Sequence, residues 1–127
     1  MAGGEYRLLL LDLDGTLLGS DGHISPRVAQ AVRTVAERVQ TSIATGRERD
    51  DVMRFAGELG LKAPQISDNG AMILDPVSGR SLWCAPLPQL HAQEVLARLD
   101  GLGMEFIATD ETGTMTSLAE AEGRTLN

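Results

Sequence analysis

Arg7-Leu8-Leu9-Leu10-Leu11-Asp12-Leu13-Asp14-Gly15-Thr16-Leu17 sets an unbroken apolar run directly against two acidic residues and a glycine turn. Continuous rather than alternating hydrophobicity predicts a strand over 7–13 that is buried on both faces, as in a parallel sheet. Side chains alternate along a strand, so Asp12 and Asp14 are expected on one side of its C-terminal end. Ligands of open α/β sheets bind outside such ends. Two carboxylates held this close repel each other unless a cation or a shared proton intervenes. A hard divalent ion that prefers oxygen ligands, such as Mg2+, is the natural solution. A solvated acidic turn is the plainer alternative, common for a lone Asp-Gly. The apolar strand in front of DLDGTL weighs against it.

Outward from this string the chain alternates strand and helix. Ser25 is a good N-cap and Pro26 suits the first helical position. Val28, Ala29, Val32, Val35, Ala36 and Val39 then recur at helical spacing. Residues 41–44 read as a second strand. A second helix is expected over 49–59, striped by Val52, Phe55, Ala56 and Leu59 and closed by Gly60. Residues 65–67 read as a third strand, completing β-α-β-α-β with the short connections of a parallel α/β sheet. The pattern then changes. Residues 71–74 and 80–84 flank Asp75-Pro76-Val77-Ser78-Gly79 and predict a hairpin. After Pro86 and Pro88 comes a third helix striped by Ala92, Val95, Leu96 and Leu99, then strands over 104–109 and 114–117. No periodicity is legible past Leu118.

The second strand ends in Ser42-Ile43-Ala44-Thr45-Gly46-Arg47. Parallel pairing puts Thr45 and Gly46 on the same rim as Asp12. A hydroxyl, a permissive backbone N–H and the start of the next helix make a phosphate-sized anion site. Arg47 would add charge-assisted hydrogen bonds to an anionic substrate. Alone, this segment reads more readily as an ordinary strand-to-helix turn; the neighbouring acidic pair reverses that. Asp68-Asn69-Gly70-Ala71 closes the third strand. Asn69 there either tolerates a positive φ in a turn or stands at the rim, orienting a neighbour or the substrate.

Composition narrows the choices. The 127 residues carry 18 acidic and 11 basic side chains, a net charge of −7, which disfavours nucleic acid or an anionic membrane as partner. No apolar stretch approaches the ~18 residues of a membrane span. Cys84 is the only cysteine, so neither an internal disulfide nor a multi-cysteine zinc site is available. The cytoplasm is the default location. Lys62 is the sole lysine. His23 and His91 read as solvated histidines, and Trp83 and Cys84 as packing residues of the hairpin, although an exposed Trp83 would suggest a partner surface.

DLDGTL, ATGR and DNGA, in this order and joined by β-α-β-α-β, resemble the haloacid dehalogenase (HAD) superfamily. More narrowly they are similar to its Cof-type phosphatases, relatives of the sugar-phosphate and sucrose-phosphate phosphatases. The resemblance implies an α/β fold. Residues 1–86 would form the N-terminal half of a Rossmann-like parallel core, and 87–127 the start of an α+β cap that selects the substrate. It implies Asp12 as nucleophile, forming an aspartyl-phosphate, and Asp14 as general acid/base. Mg2+ would sit on the Asp12 carboxylate and the Asp14 backbone carbonyl, and Thr45 and the Gly46 N–H would hold a phosphoryl oxygen. The implied substrate is a small phosphorylated metabolite.

The chain departs from that pattern in length, since such two-domain proteins run to ~250 residues. The family's returning half carries a lysine that offsets charge and an acidic motif that completes the metal shell. Lys62, before the third strand, should lie at the opposite edge. Asp50 and Asp51 begin a helix, and Asp110 falls in the cap. The expectation is therefore the N-terminal part of a phosphatase, with the alternative of a non-catalytic phosphate-binding or interaction module. A half-sheet with one uncovered edge also implies self-association.

Overall fold

The computed structural model describes residues 6–110 and the backbone of 113–115. Strand β1 (Leu8–Leu11) pairs in parallel with β2 (Gln40–Ile43), Leu8 opposite Gln40 and Leu11 opposite Ile43. Helix α1 (Pro26–Ala36) connects them, and its Ser25 cap accepts the Val28 N–H at 3.3 Å. The apolar stripe runs past the helix in sequence, but Val35 is exposed and the chain leaves α1 after Ala36. The N–H groups of Arg38 and Val39 both return to the Val35 carbonyl, and this tight turn feeds β2. Helix α2 (Arg49–Leu59) follows and ends on Gly60, whose φ of +68° is the left-handed conformation that glycine adopts without a Cβ penalty.

Strand β3 (Gln65–Ser67) joins β2 through a single parallel bridge, Ala44 to Ile66. A side chain replaces the missing ladder. Gln65 is fully buried, its Oε1 accepts the Ile43 N–H at 2.7 Å, and its Nε2 donates to the Ala63 carbonyl at 2.6 Å. A buried amide costs stability unless both ends are paired, and here both are. The hairpin of β4 (Met72–Leu74) and β5 (Ser81–Cys84) is one strand wider than expected, because β4 also pairs antiparallel with β3.

Leu13, Leu17, Ile24, Val32, Ile43, Phe55 and Leu59 form the main core, and Val52, Met72 and Leu74 a second cluster. Both helices pack on the sheet face that carries Ile43. On the opposite face Ser42 is buried, but the β1 residues Leu8 and Leu10 are not fully covered by the described residues of this unit, which corrects the expectation of a first strand buried on both sides. Leu8 and Leu10 are about half exposed, at 50% and 49%. Trp83 is exposed as well, opposite Ile73 on the edge strand, and is not a packing residue of the core.

The chain divides into two compact units, Met1–Cys84 and Ala85–Asn127. In the second, helix α3 (Gln89–Gly101) precedes a short antiparallel pair, β6 (Ala108–Asp110) and β7 (Gly113–Met115). β6 begins four residues later than the sequence pattern suggested, at Ala108, and the rest of the strand expected over 114–117 lies beyond Met115, outside the described residues. Of the α3 stripe only Leu96 is buried, while Val95 is exposed. Among the described residues no helix is long and apolar enough to cross a membrane.

Candidate active site

β1 stops at Leu11, so the acidic pair does not continue the strand as the alternation argument required. Residues 13–17 instead make a single π-turn, closed by the Leu18 N–H on the Leu13 carbonyl at 2.9 Å. Asp12 just before it and Asp14 within it keep extended backbones, and Gly15 turns the chain at φ +75°. Leu13 and Leu17 plug into the core and pin the turn, leaving both carboxylates exposed on either side of Leu13. The Asp12 Oδ1 accepts the Leu13 N–H at 2.8 Å. Its other oxygen has no protein partner among the described residues.

The end of β2 arrives beside this turn because the Ala44 N–H donates to the Leu11 carbonyl at 2.9 Å. Thr45 is buried and its Oγ1 accepts the Arg47 N–H at 3.2 Å, which shapes the turn into α2. Arg47 then reaches back. Its Nε and Nη2 donate to Oδ2 and Oδ1 of Asp14 at 2.8 and 2.9 Å, and its Nη1 donates to Asp51 at 2.6 Å. Asp51 also accepts Arg54 Nη2 at 2.9 Å. Arg47, expected to await a substrate anion, is thus engaged by two carboxylates. The two-pronged hydrogen bond from Arg47 holds the Asp14 carboxyl below the usual carboxylate range, and slight desolvation only partly opposes it. The same partners raise the Arg47 guanidinium further above its already high value.

The loop after β3 is knitted onto the same rim. The Asp68 N–H donates to the Arg47 carbonyl at 2.9 Å and the Asn69 N–H to the Thr45 carbonyl at 3.2 Å. Asp68 and Asn69 adopt φ of +52° and +54°, a conformation that costs about 1 kcal/mol or more for each such residue. Two successive residues persist there because those hydrogen bonds hold them. A Cβ on Gly46 would lie 2.6 Å from the Asn69 Oδ1, so the Asn69 amide rests directly against the glycine backbone. Gly46→Ala should therefore displace the Asn69 side chain and destabilise the protein by about 1 kcal/mol. Asn69→Ala in the same background should recover part of that loss. A double-mutant cycle by chemical denaturation measures it, and additive effects would mean that the contact has no energetic weight.

The charge network also sets an acid limit. Asp51 lies below the usual carboxylate range chiefly through Arg54, with Arg47 adding to it and partial burial opposing. Asp75 lies low because it accepts the Ser78 hydroxyl first and the Val77 N–H next. Lowered folded-state values mean stability that is complete above the unfolded value, near pH 4, and lost as pH falls through the folded values. Melting temperature should fall as pH drops below about 4, and fall less in the Asp51→Asn/Asp75→Asn double variant. Equal slopes would contradict this assignment.

The donor chemistry here fits a hard cation only in part. Among the described residues there is no group of three or more His, Cys, Asp or Glu side chains able to hold a metal. One free Asp12 oxygen and backbone carbonyls of the turn suit a largely hydrated Mg2+, which keeps several waters and takes one or two carboxylates. Lys62 is exposed ahead of β3, in a groove of about 750 Å³ shared with Arg33, Arg38, Val39 and Pro64. That groove lies at the N-terminal ends of β2 and β3, away from Asp12. His23 is exposed and its Nδ1 is bonded to the Asp21 carbonyl at 2.8 Å; His91 is exposed on α3. Sequence reasoning missed Asp51 as a partner of Arg47: the two stand four residues apart, but Arg47 lies two residues ahead of α2, so the contact is made by the turn and not by a helical face.

The family profile described as haloacid dehalogenase-like hydrolase matches residues 9–125. The chain belongs to the haloacid dehalogenase-like hydrolase family. Within that family it is 36% identical over 92 residues to an HMP-PP phosphatase of Serratia proteamaculans, covering 72% of this chain and 33% of the relative. It is 32% identical over 95 residues to the pyridoxal phosphate phosphatase YbhA of Escherichia coli, covering 74% of this chain and 35% of that one. In structure it matches a haloacid dehalogenase-like hydrolase from Bacteroides thetaiotaomicron with a TM-score of 0.78 at 24% identity, over 97% of this chain and 46% of that one. This haloacid dehalogenase-like hydrolase chain therefore spans about a third of the length of the curated relatives it matches.

Proposed function

We propose that this chain carries the nucleophile-bearing part of a Mg2+-dependent phosphatase acting in the cytoplasm on a small phosphorylated metabolite, such as a sugar phosphate. The observation that carries this reading is the Asp14–Arg47 clamp. It draws together two motifs 33 residues apart, on a rim that also holds Asp12 and the Thr45–Gly46 turn. The two relatives named as phosphatases support the reaction class. Asp12, with one carboxylate oxygen fixed by the Leu13 N–H and the other free, attacks phosphorus as the ester P–O bond breaks and the leaving alcohol takes a proton from Asp14. Water, deprotonated by Asp14, then cleaves the resulting aspartyl-phosphate to free phosphate and restores Asp12. Thr45 and the Gly46 N–H hold a phosphoryl oxygen, and Asn69 braces Gly46. Asp14 exchanges the proton, which requires the guanidinium to release it first, because a carboxylate held by Arg47 is a poor acid. Mg2+, on the Asp12 carboxylate and the Asp14 carbonyl, would offset the negative charge gathered at the rim.

In this reading residues 1–86 are the first half of the catalytic core and 87–127 open a cap domain. The edge of β1, unpaired among the described residues, and the exposed Leu8, Leu10 and Trp83 would also drive self-association. Light scattering at high concentration should give a mass above that of one chain, and a strictly monomeric profile would contradict it. Calorimetry separates the enzyme from a non-catalytic phosphate-binding module. Inorganic phosphate should bind weakly, only with Mg2+ present, and not to Asp12→Asn. Binding that ignores both Mg2+ and Asp12 would favour the module.

A further inference from the structure

Arg47 is gripped from two unequal sides. The Asp14 side chain is 59% exposed, whereas that of Asp51 is 28% exposed. Asp51 sits in the first turn of α2, and its second oxygen accepts Arg54. The Arg54 guanidinium in turn lies 4.0 Å from the ring centre of Phe55, a residue 1% exposed in the core. A line of support therefore runs from the core through Arg54 and Asp51 to Arg47. Only beyond Arg47 does it reach Asp14, the more solvent-exposed partner.

We propose that Asp51 is a positioning residue of this site. It fixes the Arg47 guanidinium so that its Nε–Nη2 edge is presented at the rim, to Asp14 in the free protein and to a phosphoryl oxygen when one is bound. The second half of this statement rests on the phosphoryl-transfer reading above. The physical reason is geometric. A guanidinium is planar, so one anchored nitrogen fixes the direction of the opposite edge. Asp51 takes Nη1 and leaves the Nε–Nη2 edge as the matched, two-pronged face for a carboxylate or a phosphate. Arg47 would otherwise sample many rotamers and present that face only part of the time. An isolated surface ion pair is worth little. This one differs because Arg54 holds Asp51 and a buried ring backs Arg54.

The test follows the Arg47 Nε–H by NMR in the 127-residue chain, where it is expected to exchange slowly with water. Asp51→Asn should speed that exchange about tenfold, as expected for loss of a charge-assisted hydrogen bond. Asp51→Glu should restore most of the protection. Asp50→Asn removes the same charge from the same helical turn without touching Arg47, and should change the rate less than about twofold. Arg54→Gln should give an intermediate rate, and it covers the case in which Asp51→Asn unfolds. An unchanged Arg47 signal in Asp51→Asn, or equal acceleration by Asp50→Asn, overturns the proposal. A parallel titration of the wild type with Mg2+ and inorganic phosphate tests the other half. Phosphate that leaves a protected Arg47 Nε–H unmoved overturns the phosphoryl role while the positioning by Asp51 stands.

Discussion

Purified alone, the 127-residue chain should hydrolyse p-nitrophenyl phosphate or acetyl phosphate at or near background. Phosphoryl transfer depends on positioning and on stabilising charge. Asp12, Asp14, Asp51 and Asp68 lie at or beside the rim, and Arg47 and Arg54 are already engaged by Asp14 and Asp51. The sole lysine lies at the other end of the strands. A dianionic phosphoryl group entering this rim would meet net repulsion, and a Mg2+ ion held there by so few carboxylates of the described residues would be easily lost. Arg47 cannot replace a compact ammonium, because its rigid fork is matched to Asp14. Turnover with Mg2+ should match that of Asp12→Asn and of the EDTA-treated protein. Robust metal-dependent turnover abolished by Asp12→Asn would mean that another group completes the site.

The largest loss of stability is expected for Phe55→Ala. Phe55 is 1% exposed within the main core and also backs Arg54. Removing a buried aromatic ring costs about 3–5 kcal/mol, through lost transfer energy and the cavity left behind. Typical domains have only about 5–15 kcal/mol in total. Urea denaturation should therefore show a midpoint far below wild type, or a chain already unfolded without denaturant. Phe55→Leu, which leaves a smaller cavity, should lose less. A Phe55→Ala cost below about 1 kcal/mol would show that α2 does not seal the core as the packing indicates.

Local chemistry made much of the fold legible. Ser25-Pro26 and Gly60 are helix punctuation that acts within a few residues, so α1 and α2 stand where their signals place them. What required the folded chain was set by distant partners. Gln65 reads as an ordinary polar residue, yet it is buried because the Ile43 N–H and the Ala63 carbonyl need it. The half-exposed Leu8 and Leu10 look like buried strand residues, since hydrophobicity alone does not reveal that both helices choose one face. At the site, Asp12, Asp14, Thr45, Gly46, Arg47 and Asn69 were singled out by motif and spacing. Their relations were not. The π-turn, the clamp of Asp14 by Arg47 and the seating of Asn69 on Gly46 depend on which segments meet, and a linear pattern does not carry that.

The reading of Asp12 as the phosphoryl acceptor is tested most directly by mapping a phosphoryl mimic on the chain. Amide shifts would be followed by NMR while Mg2+ and then beryllium fluoride are added to wild type and to Asp12→Asn. The expected result is a set of shifts at Asp12, Asp14, Thr45, Gly46 and Asn69 that requires Mg2+ and vanishes in Asp12→Asn. Shifts centred on the groove beside Lys62, or shifts unchanged by Asp12→Asn, would contradict it.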